Sequence, residues 1–471
     1  EIDFASIHER LERVTNEPAN EANPVISADG ETFFYVAGRG GRTTTSDTPT
    51  DLYRIQWDGS EQEALTQGDL GPYGVRMSPS RGQLFFAHSG GQLARISATG
   101  GSVERLPFRA RMQIDYPAER AQVFDAMTRA MEQGFYDPNF HGAEWDALVE
   151  QYRPWALRAS TSNDFQYMVN LMLGELNASH MGFYGPGRAD TQSEQTGLLG
   201  VEWAPAENGL EVTRVVPDSP ADREVSRLNV GDIVTAIDGT SLNATTNPTR
   251  LLNDTAGELV LLRVENASGE TRTLRIRPTG SLRSELYQEW VDTRDELARE
   301  YSDGELGYLH VQGMNWSSFE RFERELFASG NGKDGLVIDV RYNGGGWTTD
   351  YLMTTLNVKQ HAYTIPRGAT DNLEANHTEF RDHYPFGERL PYPAWTKPAG
   401  TLINQNSYSN AEIFAHAFKS LDRGPLVGTS TFGAVISTGG VGFLNGSFVR
   451  MPFRAWYVRE TDQNMELGPA T

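Results

Sequence analysis

Polarity along the chain changes period several times, and each change marks a different architecture. Up to residue 113 the pattern is strand-like. Residues 32–36, 51–57, 83–87 and 93–96 read as strands, with turns at Asp58-Gly59 and Gly100-Gly101. Ser27 and Ser78, 51 residues apart, each open a turn–strand–turn unit. That spacing suits propeller blades, with residues 38–50 as an insertion in the first. Two blades cannot close a ring of roughly four to eight, so on this reading most of the propeller lies upstream. A two-sheet β domain is the alternative. From 116 to 185 the period becomes helical. Phe124, Met127 and Met131 mark one helix, and Trp145, Leu148 and Tyr152 a second. Ser162-Asn163-Asp164 caps a third, with Phe165, Met168, Val169, Met172 and Leu176 on one face. Such stripes form cores. His180 falls just past this helix, where a histidine is ordinarily only a cap.

Residues 194–280 are again β-rich, and from 286 to 330 helical patterning surrounds a strand at 306–311. Two apolar runs then end in turns, as strands buried in a parallel sheet do. The first, 335–340, leads to Gly344-Gly345-Gly346, whose amides can approach a substrate closely because no side chain intervenes. It lacks the Lys-Ser/Thr of a phosphate loop. The second passes through a polar turn into a helix built on Ile413, Phe414, Ala417 and Phe418. A strand that breaks into a helix lifts the residue at the bend above the sheet. It also aims the first free N–H groups of the helix at whatever that residue attacks. Ser409 occupies the bend and Asn410 supplies the next amide, as an activated serine requires. The same pattern also describes a plain serine N-cap. The polar, proline- and aromatic-containing loop 367–398 could flank a cleft.

A length of 471 residues exceeds one core, so two to four domains are expected. No apolar run approaches the roughly 18 residues that span a bilayer. Lys and Arg number 41 against 63 Asp and Glu, a net charge of −22 with no basic stripe to offset it. Such a field repels nucleic acid and anionic membranes. The absence of cysteine removes thiol catalysis, disulfides and thiolate zinc sites, while leaving the compartment open. No His/Asp/Glu group has zinc-ligand spacing, so neither metal nor cofactor is expected. Beginning at Glu1 with no initiator Met or secretory signal, the sequence reads as a processed or truncated piece of something longer.

Two resemblances sharpen this reading. Gly197-Leu198-Leu199-Gly200 before a strand, with Gly231-Asp232-Ile233 and Ile237-Asp238-Gly239 downstream, resembles a PDZ domain. That implies a loop whose amides hold a peptide C-terminal carboxylate, beside a groove that takes the peptide as an added strand. Four segments in order resemble the tricorn-like branch of the C-terminal-processing serine peptidases: the helical cap, the PDZ unit, Asp339-Val340-Arg341-Tyr342-Asn343-Gly344-Gly345-Gly346 and Asn406-Ser407-Tyr408-Ser409-Asn410-Ala411-Glu412. The resemblance covers essentially the whole chain. It implies a multidomain protein with propeller-like blades (1–113), a helical cap bearing the catalytic histidine (114–193) and a PDZ β-barrel-like domain (194–280). An α/β, ClpP/crotonase-like peptidase core (281–471) would follow. It further implies Ser409 as nucleophile, His180 as general base, Ser179 in support and Glu466 as the orienting carboxylate. The oxyanion donors would be the amides of Asn410 and one glycine of 344–346, with Gly345 favoured. The other branch takes its base from a lysine in Phe-Gly-Lys-Gly, and Thr431-Phe432-Gly433-Ala434 has none. Ser409 must therefore use an imidazole, which with an ordinary pKa of about 6.5 can accept a hydroxyl proton near neutrality.

The other histidines read differently. His416 is seven residues after Ser409 on one helix, about 10 Å along the axis and too far for a direct hydrogen bond. His310 lies within a strand and His141 in a loop. The expected function is a serine peptidase acting on peptides or unfolded protein segments through an acyl-enzyme. The alternative is a non-catalytic peptide-binding scaffold with a degenerate peptidase fold. Partners would be a peptide or protein substrate, without nucleic acid or a membrane span. The tricorn resemblance adds homo-oligomerisation, and bacterial relatives of this layout incline the location to extracytoplasmic, although tricorn itself is cytosolic. One prediction follows from charge alone. The catalytic efficiency on Lys/Arg-rich peptides should fall as ionic strength rises, and a flat salt dependence would remove electrostatic steering.

Overall fold

The computed structural model describes residues 11–15, 19–38, 50–186, 192–358, 365, 371–372 and 394–469. The expected insertion at 38–50 and the loop 367–398 fall largely outside them. Two compact units, Glu1–Ile114 and Asp115–Thr471, make up the chain.

The first unit holds two antiparallel four-stranded meanders. One is β1 (Asn20–Ile26), β2 (Thr32–Gly38), β3 (Thr50–Gln56) and β4 (Glu63–Ala64). The other is β5 (Tyr73–Met77), β6 (Gln83–His88), β7 (Gln92–Ser97) and β8 (Glu104–Arg105). Their repeat is chemical. Ser27 Oγ accepts the Thr32 amide at 2.9 Å, and Ser78 Oγ accepts the Gln83 amide at 3.1 Å. Each serine thus closes the turn that launches the next strand of its sheet, as blades do. Phe34, Leu52, Leu84, Phe86 and Ile96 form the buried core.

The second unit opens with three helices, α1 (Tyr116–Gly134), α2 (Trp145–Leu157) and α3 (Ser162–Gly174). The cap of α3 is Thr161, one residue before the segment expected from sequence, in a reciprocal capping box with Asp164. Phe124, Met127, Met131, Tyr152, Val169 and Met172 are buried together, and Phe183, Val449 and Met451 complete the same cluster. Phe183 belongs to the short β9 (Gly182–Tyr184).

A separate core belongs to the PDZ fold: β10 (Val201–Ala206), β11 (Gly209–Val215), β12 (Ile233–Ile237), β13 (Thr240–Ser241), α4 (Pro248–Leu251), β14 (Val260–Glu265) and β15 (Thr271–Ile276). The sheet order is β10-β11-β12-β14-β15, with β13 beside β12, so β10 is an edge strand.

The remainder is α/β. Helix α5 (Arg283–Tyr301) leads into β16 (Leu306–His310), α6 (Trp316–Gly330), β17 (Gly335–Asp339) and α7 (Thr349–Leu356). The chain continues through β18 (Ala399–Ile403), α8 (Asn410–Ser420) and β19 (Leu426–Gly428). The four strands are parallel in the order β16-β17-β18-β19, and the site-bearing turns leave their carboxyl ends. Phe319, Phe322, Leu326, Ile338, Phe414 and Phe418 fill the space between sheet and helices. A terminal hairpin, β20 (Ile436–Gly442) and β21 (Phe448–Ala455), takes β9 as its third strand, with Val449 opposite Phe183. That pairing ties the helical cap to the α/β core. Phe322 is 2% exposed, so Phe322→Ala should cost about 3–5 kcal/mol in chemical denaturation. A loss below about 1 kcal/mol would show that this face is not the core.

Candidate active site

The turn between β18 and α8 is pinned to the neighbouring strand end. Ser407 Oγ donates to Val340 O at 2.9 Å, and Tyr408 N donates to Asn343 O at 3.0 Å. Ser409 follows with φ 59° and ψ −120°, a conformation that L residues avoid. Glu412, 1% exposed, stabilises it: its carboxylate accepts the amides of Ser409 (3.0 Å), Gly433 (2.5 Å) and Ala434 (3.0 Å). The 433–434 segment therefore braces the Ser409 turn through Glu412. Asn410 fastens the start of α8 to α7, its Oδ1 accepting Thr349 N at 3.0 Å.

The glycine run approaches closely. A Cβ on Gly345 would lie 2.6 Å from Ser409 Cβ and 2.8 Å from Tyr408 O, and φ there is +89°, so only glycine fits. Its N–H, favoured from sequence as an oxyanion donor, is spent on Asn343 Oδ1 at 2.9 Å. Gly345 is a spacer. The amides of Gly344 and Asn410 have no acceptor among the described residues. Both residues line a cavity of about 700 Å³ together with Ser409 and His180.

His180 enters from the opposite side, on the segment between α3 and β9. Its Nδ1 is 2.5 Å from Ser179 Oγ and 2.8 Å from Tyr408 Oη. Ser179 in turn donates from its amide (2.5 Å) and its hydroxyl (2.9 Å) to the two oxygens of Glu466. Carboxylate, serine and imidazole thus form one chain. Glu466, 8% exposed, is set by Asn464, whose Oδ1 accepts its amide at 3.0 Å. The Tyr408 ring stacks on the imidazole at 4.5 Å and 16°. This tyrosine escaped the sequence reading, and its one signal was an aromatic directly before the bend serine. Nε2 of His180 is buried and has no partner among the described residues, so no hydrogen bond joins it to Ser409. Such bonds are often long in free enzymes.

Burial, and secondarily the charge of Arg450, lowers the His180 pKa from the ordinary 6.5 to about 4. Burial raises that of Glu466 against the two Ser179 hydrogen bonds. The imidazole is consequently neutral near pH 7 and open to a proton.

The remaining sequence candidates separate clearly. His310 bonds Tyr287 Oη (2.8 Å) and Arg341 O (2.9 Å), a structural role. His416 hydrogen-bonds Ser420 Oγ at 3.2 Å and does not line the cavity. His141 does more than occupy a loop: Nε2 is 2.5 Å from Tyr136 Oη, which Asn464 Nδ2 reaches at 3.4 Å, so it braces the Glu466 turn. In the PDZ loop, Gly197 and Leu198 donate to Leu252 O and Thr279 O, both at 2.7 Å, and are not free for a ligand. The amides of Leu199 and Gly200 have no acceptor among the described residues.

A strained serine at a strand-to-helix turn, open amides beside it and a histidine in the same cavity are the parts that attack by a serine hydroxyl requires. Residues 305–468 match peptidase family S41, residues 116–174 the tricorn protease C1 domain and residues 197–281 the tricorn protease PDZ domain. Taken in chain order, these three matches are those of tricorn-type serine peptidases of family S41, which this chain resembles. It is 27% identical over 461 residues to the putative tricorn protease homolog 2 of Streptomyces coelicolor, covering 92% of this chain and 36% of that protein. Tricorn protease homolog 1 of the same organism is 29% identical over 361 residues, covering 74% of this chain and 32% of the relative. The crystal structure of the tricorn protease superposes with a TM-score of 0.79 at 19% identity, over 96% of this chain and 43% of that one. That likeness establishes the multidomain fold of blades, PDZ unit and peptidase core. The chain spans about a third of the length of the two Streptomyces relatives.

Because the folded pKa of His180 lies below its unfolded value, the neutral imidazole supports stability above pH 6.5, and that contribution is lost as pH falls towards about 4. An NMR titration should place the His180 midpoint near 4, and His180→Gln should flatten the thermal stability between pH 6.5 and 4. A midpoint near 6.5 would contradict the burial seen here.

Proposed function

We propose that this chain is a serine-type peptidase that cleaves peptides or unfolded protein segments through an acyl-enzyme. The observation that carries the reading is the Glu466–Ser179–His180 chain ending at a cavity that also holds Ser409. Ser409 Oγ attacks the scissile carbonyl while Nε2 of His180 takes its proton. Ser179 and Glu466 fix the imidazole tautomer through Nδ1 and stabilise the imidazolium that forms. The amides of Gly344 and Asn410 receive the oxyanion. Collapse of the tetrahedral intermediate breaks the C–N bond, and the imidazolium returns its proton to the leaving amine. Water then repeats the sequence on the ester and frees Ser409. The edge of β10, with the Leu199 and Gly200 amides, accepts a peptide as an added strand.

A non-catalytic scaffold has less support, since it gives no reason for a strained serine, two unspent amides and a buried imidazole nitrogen without a partner to meet in one place. Domain junctions near 113, 193 and 280, and self-association of the chain, belong to the same proposal. Light scattering on the purified chain reads the latter.

Ser409→Ala and His180→Ala should each lower peptide cleavage by roughly 10⁴-fold or more with the fold intact. A fluorophosphonate should label the wild type and leave Ser409→Ala unlabelled. Retained turnover in either variant, or absence of labelling in a folded protein that includes the relatives' additional length, would end the hydrolase reading.

A further inference from the structure

The cavity beside Ser409 has a charged wall that the mechanism above does not use. Arg450 and Arg454 of β21 line it together with Gly344 and Asn410. Arg450 Nε donates to Thr438 Oγ1 at 3.1 Å, which fixes the guanidinium on the sheet. Arg454 lies over the Phe453 ring, 5.6 Å from its centroid. Among the described residues neither has a carboxylate within ion-pair distance. Other arginines, Arg341 with Asp339, Arg153 with Asp125 and Arg272 with Asp232 among them, do hold carboxylate partners. Asp350 is the one carboxylate lining it among the described residues, and it pairs with neither arginine.

We propose that Arg450 and Arg454 form a carboxylate subsite, so that the enzyme prefers peptides presenting a carboxylate beside the scissile bond. The inference rests on the peptidase reading above and names its substrate class. The planar guanidinium fork matches a carboxylate bidentately, and the half-buried Arg450 gains more from such a pair than the exposed Arg454. The carboxylate comes from an acidic side chain or from the free C-terminus of the peptide, and the two sources share this chemistry. Occupancy also acts on the base. Arg450 disfavours the imidazolium form of His180, and a carboxylate bound to that arginine offsets its charge. The base is therefore strongest when the preferred substrate is in place.

This contact preference is distinct from the long-range field of an acidic chain, which favours basic peptides but is screened beyond about 8 Å at 0.15 M salt. The test compares quenched-fluorescent peptides of one sequence with Glu or Gln next to the scissile bond, each as free acid and as amide, at about 0.15 M salt. Carboxylate-bearing peptides should exceed the Gln amide in kcat/KM by roughly ten-fold or more, and Arg450→Gln and Arg454→Gln should bring the ratio near one. Excess of Glu over Gln assigns the side chain as the source, and excess of acid over amide the C-terminus. Equal rates for all peptides, or an unchanged ratio in both variants, overturns the subsite. Fluorescence anisotropy of the same peptides on Ser409→Ala, with Arg454→Glu added to turn the preference towards Lys peptides, reads the subsite without turnover. A fluorophosphonate-labelled Ser409 without carboxylate preference rejects the subsite alone. Carboxylate-selective binding by a protein whose Ser409 does not react rejects the catalytic reading alone.

Discussion

One buried carboxylate receiving three amides holds the site together. Glu412 collects the N–H groups of Ser409, Gly433 and Ala434, and so fixes a backbone conformation at Ser409 that costs of order 1–3 kcal/mol when unsupported. A buried carboxylate is tolerable only when its lone pairs are met, and here they are met by the strained turn itself. Gly345 completes the constraint from the other side, because any side chain there would occupy the volume of the Ser409 Cβ. The position of the Ser409 Cβ is thus set by backbone.

His180 reaches the same cavity by a route that depends on sheet pairing. His180 stands two residues before β9, and β9 adds to β21, the strand that also carries Arg450. The core shared by Phe183, Val449 and Met451 makes that docking apolar and therefore firm. Glu466 arrives later in the chain and anchors to Ser179 through two hydrogen bonds. Three stretches distant in sequence are held by one hairpin, which positions the base and supplies the cationic wall.

Much of this was legible in the residues. The apolar runs before the glycine turn and before Ser409 needed no partner to be recognised as strands, since burial on both faces writes itself as an unbroken apolar run. The three-helix stripe was equally plain, and the five-residue step from Ser27 to Thr32 recurs from Ser78 to Gln83. Ser409, His180, Ser179 and Glu466 were nameable from short motifs. Which glycine amide stays open was not, because it turns on the Asn343 side chain claiming the Gly345 amide. Nor was Tyr408, whose importance is a stack on a ring 228 positions away.

The sequence by itself determined the order of architectures, the chemistry available at the bend serine and the absence of a lysine at 431–434. These are properties of consecutive residues, and local periodicity and composition carry them. Tertiary structure alone decided which amides remain unspent, how far burial lowers the basicity of His180, and that Arg450 and Arg454 line the cavity with no ion-pair partner among the described residues. Each of these depends on which distant groups fill the surrounding space and compete for the same hydrogen bonds, and no stretch of neighbouring residues encodes that competition.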